Sequence, residues 1–552
     1  MKSTILATLL ATGSVLAQAT PAIQQGLRLF SAPTGTDQLR LVDTQGQIVH
    51  SWPNGATNTQ GIHLAPDGSV VVSAFDNNNV FPGVTGRLQQ YDFDGNMTWD
   101  LLINSAQRLM HHDFFVMENG NVLVMTVDNL QTIHATSQGR DPALLPAPNW
   151  FPETIIEVQR TGPTSGQIVW EWHSADHWVQ DFDPALPNYG IVSDHPELID
   201  INYPETSLIV GDVHHCNGID YDAENDWIII SARSQNEFWL VDHSTTTAEA
   251  AGHTGGNRGR GGDLLWRWGN PEAYGRGTPA DRKLFGQHDP RFIPDGFPGA
   301  GNITLFNNMV QVFQAPTATH PLGGESAVIE IELPVDNTGT PFIDPVSNTY
   351  GPDAPVWSYS DPLTFYSPFV SGAQRLRNGN TLITQGMFRR IFEITPAGNV
   401  VWEYTDPSEA GFIFQASLIE RSNWNRVEEV SRTAGGTIEC TAVIDSSLAG
   451  QNYFMLASLV TEGTTPVPGG VVLPFTADIL TSGMLQFPNT ALFINTFGQL
   501  DASGRADSDI LIPPNLLVPN LVGREMEICY VVVDSTGLVV NVTNPTVVEI
   551  KS

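Results

Sequence analysis

The chain has 552 residues, with 59 acidic against 25 basic side chains, a formal net charge of −34 and a hydrophobic share of 41%. That length allows two or more domains and a large core. The charge excludes nucleic acid as a partner, since phosphate binding needs clustered basic residues, and it disfavours an anionic membrane surface. An anionic small molecule needs a local cluster of His and Arg to overcome the general field.

Residues 1–19 read as a secretory signal peptide: one early lysine, a short apolar run and a cleavage pattern at Ala17-Gln18-Ala19. The expected location is secreted or periplasmic. No later stretch reaches about 18 consecutive apolar residues, so no membrane span is expected. The three cysteines, Cys216, Cys440 and Cys529, are too few for a disulfide scaffold. A Cys440–Cys529 pair is open to the chain and would leave Cys216 free beside His215. A cysteine at that place reads first as a small buried hydrophobe.

From there a unit repeats. A turn rich in Gly, Asp or Pro is followed by a short strand ending in tryptophan, at Trp52, Trp99, Trp170, Trp266, Trp357 and Trp402. The shortest spacings between these tryptophans are 47 and 45 residues, and the longer ones are the same unit with insertions. A period of about 40–50 residues with strand-turn-strand content is that of a β-propeller blade. After each tryptophan comes a second copied element: Gln60–Val72, His111–Val124, Asp212–Trp239, Gln287–Asn308, Ser371–Ile383, and lastly Phe412–Ile419. The last has no tryptophan strand after it, and the Trp52 strand has no such element before it. The economical solution is ring closure, with Phe412–Leu418 joining the sheet of Leu27–Trp52.

In a propeller the first strand of each blade lines the central channel. Four of these strands carry a histidine at what reads as one matching position: His63, His112, His215 and His288. The others carry Gln374 and Gln415. A ring of imidazole and amide groups makes a polar, concave site. Two insertions hold further histidines, His173/Asp176/His177 and Asp242/His243/His253. Neither group has a standard metal-ligand spacing, and both read as hydrogen bonds that order loops. No metal or cofactor is expected.

From about Ser422 the tryptophan repeat stops, and short apolar strands between turns read as a separate β-sandwich. The expected architecture is all-β: signal peptide 1–19, a six-bladed β-propeller over 20–425, and a small C-terminal β-sandwich over 426–552.

Several stretches resemble the bacterial aryl-sulfate sulfotransferases, a family of exported six-bladed propellers. They are His215–Asp222 with Ile228–Arg233, Leu264–Pro271, Gly286–Asp289 with Leu305–Asn308, Tyr366–Ser371, and Phe392–Tyr404. The resemblance covers roughly residues 60–425. It implies a sulfuryl group moved from one phenol to another without a nucleotide donor, through a histidine that takes the group and hands it on. The chemistry suits a histidine ring. A sulfuryl group in flight, like a phosphoryl group, spreads charge over three oxygens that cationic side chains stabilise. Neutral imidazole is a competent nucleophile, and a second imidazole can protonate the leaving phenolate.

By this resemblance His215 and His288 hold the sulfuryl group. With His112 they are the expected catalytic residues. His214, Asn217, Arg233, Asn307, Asn308 and Gln374 are the expected substrate-binding residues. The partners are a small-molecule aryl sulfate and a phenol. The chain departs from the family pattern twice. Met309-Val-Gln-Val follows the Phe-Asn-Asn segment, where the family carries an arginine. Pro362–Gln374 also lacks the histidine that serves the family as nucleophile. The nucleophile therefore stays open among His215, His288 and His112. Two other readings stand beside this one: a non-catalytic extracellular propeller that binds a glycan or a protein, and a metal-dependent hydrolase.

Overall fold

The computed structural model describes residues 23–552, apart from 33, 35–37, 53–58, 78–79, 146–148, 205–210, 313–315, 318, 320, 409 and 468. The signal-peptide reading of 1–19 lies outside the described residues. The chain is 44% strand and 9% helix, as an all-β reading requires.

By its contacts the chain divides into two compact units. The larger comprises 30–39 and Trp52–Ser417; the smaller comprises the described residues up to Leu29, Arg40–Ser51 and Leu418–Ser552. This differs from a boundary at 425, because Arg40–Ser51 falls with the C-terminal residues.

The larger unit contains five four-stranded antiparallel sheets in chain order. Their first strands are Thr59–Leu64, Arg108–Val116, Cys216–Asp222, His288–Phe292 and Gly372–Arg375. A sixth four-stranded sheet takes strands from both ends of the repeat region, in the order Ala416–Ile419, Leu27–Ser31, Leu39–Val42, Ile48–Ser51. The strand expected to close the ring therefore does pair with the N-terminal strands.

The tryptophan repeat has a physical basis. Four of the six repeat tryptophans donate their indole N–H to the turn that precedes the next tryptophan strand, and in the third unit Trp172 does so while Trp170 donates to Thr245 Oγ1. Trp52 donates to Asp92 O (2.8 Å), Trp99 to Ser165 O (3.2 Å), Trp172 to Gly262 O (2.8 Å), Trp266 to Gly351 O (2.9 Å) and Trp357 to Pro396 O (2.9 Å). A ring that size buries a large apolar area, while its single donor needs a partner. The turn carbonyl supplies that partner and fastens one sheet to the next. First strands also pack on one another in sequence, from Thr59–Leu64 through to Gly372–Arg375. Gln415 returns to the start of this series, where its amide donates to Asp113 Oδ1 at 3.2 Å.

In the smaller unit two sheets enclose one core. One contains Gly436–Val443 and Arg505–Ile512, the other Asn452–Ser458 and Glu525–Val533. Ile438, Leu456, Ile528 and Val531 meet between them. A short helix, Ile479–Gln486, interrupts the strands and was not expected. Cys440 and Cys529 are separate buried thiols, one in each sheet, so the open pairing is not made. Cys216 is also a free, buried thiol.

Candidate active site

The first strands break register where their histidines stand. Pairing slips between Met110 and Phe114, between Cys216 and Ile219, and between His288 and Arg291. His112 lies within its break, while His215 and His288 lie at the leading edges of theirs. His63 lies past its break, which falls between Thr59 and Ile62. The three histidines thus gather at the breaks without sharing one register: His112, His215 and His288 stand two, four and three residues before the residue where pairing resumes, and His63 one residue after it. His63 instead faces Asp113, Nε2 to Oδ1 3.5 Å, and lines a cavity of about 560 Å³ with Gln374, Gln415, Arg291 and Arg375.

His112 and His215 both adopt left-handed backbone, φ 48° and 44°. Such conformations are strained for non-glycine residues and persist only where the surroundings impose them. For His112 the surroundings include Gly83 (φ +101°), whose carbonyl accepts the His112 N–H at 2.8 Å. A Cβ on Gly83 would fall 2.0 Å from His112 Cε1, so only glycine lets the ring lie there. For His215 the anchor is Asp212, which accepts the backbone N–H at Oδ1 (3.2 Å) and the ring Nδ1–H at Oδ2.

That second bond fixes the tautomer. With its proton held on Nδ1 by a buried carboxylate, His215 presents its Nε2 lone pair. No protein partner for that Nε2 is found among the described residues. The rings of His112 and His215 meet edge to face, with centroids 4.8 Å apart. Behind His112 lies a second chain of groups. His112 Nδ1 is 3.0 Å from His111 Nδ1, and His111 Nε2 is 3.1 Å from Glu153 Oε1. His111 and Glu153 are both 1% exposed. Burial works against charge on His111, but Glu153 outweighs it and holds the ring above the ordinary imidazole range. Burial first, and then the crowding of other ionisable imidazoles and of Arg233 around it, push His112 well below that range. The arrangement assigns His111 both protons and His112 a neutral ring, with its proton on Nε2.

His288 plays a different part. Its Nδ1 donates to Asn308 Oδ1 (2.7 Å), and its Nε2 accepts the Val370 N–H (3.1 Å). Burial and then Arg233 lower its pKa to about 3. Both nitrogens are committed, and the neutral ring clasps the loop ahead of Gly372. Asn308 serves the same loop, donating to Ser367 O and Val370 O, both at 2.9 Å. In that loop Val370 (φ 51°) and Ser371 (φ 87°) are also left-handed.

The remaining expected residues separate. Asn217 Nδ2 donates to Gln287 O (3.0 Å), and Asn307 bridges Phe285 N and Lys283 O. His214 is buried against Trp239, centroids 5.0 Å apart, and burial lowers its pKa to about 4. These three hold backbone or core. Gln374 belongs to the cavity of His63. Arg233 is half-buried, and the fields of His112 and His288 both register its charge. Burial lowers its own pKa, and Asp212 is the acid that offsets this. A Cβ on Gly286 would lie 3.6 Å from Arg233 Nη2 and 2.4 Å from Met309 Cε. The guanidinium and the end of Met309 thus both lie against Gly286.

Sequence reading did not assign Asp212, His111, Glu153 or Gly83 to the site. Asp212 had a signal, since it stands three residues before His215. Glu153 had none, because it reaches His111 from the next strand but one of the same sheet.

Solved structures similar to this chain share little sequence. They include a protein of unknown function from Bacteroides caccae (12% identity, 71% of this chain and 98% of that one, TM-score 0.38). Another is a putative 6-phosphogluconolactonase from Bacteroides fragilis (10%, 73% and 100%, TM-score 0.34). A third is the periplasmic gluconolactonase of Pseudomonas aeruginosa (11%, 71% and 99%, TM-score 0.29). At scores this low the likeness carries no weight for fold or function. No curated protein sequence matches the chain. The family model described as Arylsulfotransferase (ASST) matches residues 12–409, and the chain belongs to that family.

Proposed function

We propose that this protein is an exported aryl sulfotransferase that works without a nucleotide, and that its six sheets are the blades of a closed propeller whose channel holds the histidine cluster. The observation that carries the reading is the Asp212–His215 pair, which leaves Nε2 without a protein partner among the described residues, with the His112 ring packed edge to face on that of His215. His215 Nε2 attacks the sulfur of an aryl sulfate. The N–S bond forms as the S–O(aryl) bond breaks, and the electron pair leaves on the phenolate. Asp212 offsets the positive charge that the His215 ring takes on. Arg233 binds the sulfuryl oxygens and replaces, from the helical turn Arg233–Gln235, the arginine that the Met309 segment lacks. His112 Nε2–H protonates the departing phenolate, and His111 returns a proton through the Nδ1–Nδ1 contact. A phenolic acceptor then takes the sulfuryl group by the reverse sequence. His288 shapes the site without touching sulfur.

The test is to incubate the protein with an aryl sulfate in the absence of acceptor and map acid-labile +SO₃ adducts by peptide mass spectrometry. The adduct is expected on His215, and it should vanish in His215→Ala. Turnover with no histidine adduct sinks the covalent route. No turnover with any aryl sulfate favours a binding propeller instead.

A further inference from the structure

The two loop histidine groups do not behave as two separate loop-ordering sets. One histidine from each converges on a residue that belongs to neither. His177 Nδ1 lies 2.8 Å from Asp263 Oδ1, and His253 Nδ1 lies 2.7 Å from the same oxygen. The ligand atoms of all three lie within 4.8 Å of one another. We propose that His177, His253 and Asp263 form a zinc-type metal site that staples the two insertions of the larger unit.

The argument starts from His177. Its ring is fully buried and stacks on Trp172, with centroids 5.7 Å apart and planes 5° from parallel. Nε2 lies 2.8 Å from Ala250 O, a pure acceptor, so Nε2 carries the proton. In the neutral ring Nδ1 is then a lone pair, aimed at a carboxylate oxygen. Two acceptors at hydrogen-bond distance need a cation between them, either an extra proton or a metal. A histidine whose far nitrogen is anchored on a backbone carbonyl is the usual second-shell support of a metal ligand. His253 brings a second imidazole nitrogen to the same oxygen, so two imidazoles and a carboxylate meet at one point. Two imidazoles and one carboxylate are a borderline-soft N₂O donor set that suits Zn²⁺, with water in the fourth position. Metal bonds of about 2.0–2.1 Å would spread the ligand atoms to roughly 3.3 Å. His253 can yield that half-ångström, since its side chain is 60% exposed. Gly262 completes the cradle, because a Cβ there would stand 2.6 Å from His177 Nε2.

The test uses the full chain, untagged, stripped with a chelator and titrated with Co²⁺ or Zn²⁺. One equivalent should bind, with tetrahedral Co²⁺ absorption, and thermal unfolding should rise. His253→Ala and Asp263→Asn should weaken binding at least tenfold. His253 is exposed, so its variant keeps the fold, which circular dichroism verifies. His215→Ala should bind as the parent does, separating this site from the channel histidines. Absence of uptake, or uptake unchanged in both His253→Ala and Asp263→Asn, overturns the proposal and leaves a His177 imidazolium paired with Asp263.

Discussion

At the scale of single residues, the proposed reaction turns on which nitrogen carries a proton. Asp212→Asn keeps the shape beside His215 but lets the side-chain amide donate, which favours the wrong tautomer. The rate should fall on the order of 10²-fold or more, as for losing a preorganised charge partner. KM should change little, because Arg233 still binds the sulfate; a kcat within twofold of the parent would refute the role. His111 sets a pH limit. It supplies the replacement proton only while protonated, and Glu153 keeps its pKa raised. The rate should therefore drop as pH rises through that raised value. Glu153→Gln removes the charge that raises it, so the drop should move to lower pH. Superimposable kcat–pH profiles for the two proteins would eliminate His111 as the proton source. How legible these residues were follows from sequence distance. Asp212 and His215 are three apart and readable together. His111 and Glu153 stand on strands two apart in one sheet, so no local pattern reveals them. Histidines at strand starts were legible as a group. Their phase was not, because a slip in pairing moves a side chain along the strand without any mark in composition.

Elements were more legible than sites. The tryptophan strands and their turns were found by period, because one hydrogen bond repeated from sheet to sheet demands the same residue each time. The insertions have no such constraint, and their partners were mispaired. His243 illustrates the point. It makes hydrogen bonds, as expected, but away from His253: a part-buried ring in the turn after Glu237–Asp242, with Nδ1 2.7 Å from Asp226 and Nε2 3.3 Å from Glu157. Burial opposes its charge, yet those carboxylates raise its pKa to about 9. A histidine raised in the folded state stabilises fully below the unfolded value near 6.5, and that contribution is lost as pH climbs toward about 9. The shift corresponds to roughly 3 kcal/mol. His243→Gln should therefore destabilise strongly at pH 6 and much less at pH 9.5, read as urea midpoints. An equal loss at both values would mean that packing on Trp170, centroids 4.6 Å away, does the stabilising.

For the whole molecule, the pairing of strands from the two ends of the repeat was legible because an unmatched strand stood at each end. The division of the chain was not. A change in composition near Ser422 marks where the repeat stops, but contacts group Arg40–Ser51 with the C-terminal residues. The bonds responsible join residues some four hundred positions apart, beyond any local pattern. Thr44 N–H donates to Asp445 Oδ2 at 3.0 Å, and Ser446 N–H donates to Asp43 Oδ2 at 2.9 Å. Asp445 also receives the Thr44 hydroxyl, and its own turn donates Ser447 N–H at 3.0 Å. Burial raises its pKa, but these donors overcome that and hold it below the ordinary carboxylate value. Hydrogen bonds to a charged group contribute about 1.5–3 kcal/mol each. Asp445→Ala removes several at once without shortening the chain. Amide hydrogen exchange across Arg40–Ser51 should then accelerate by roughly one to two orders of magnitude, while the strands carrying His112 and His215 keep their protection. If Arg40–Ser51 exchanges at the parent rate in that variant, its place in the C-terminal unit does not depend on Asp445. A chain cut after Ser422 would then be expected to hold those strands as firmly as the intact one.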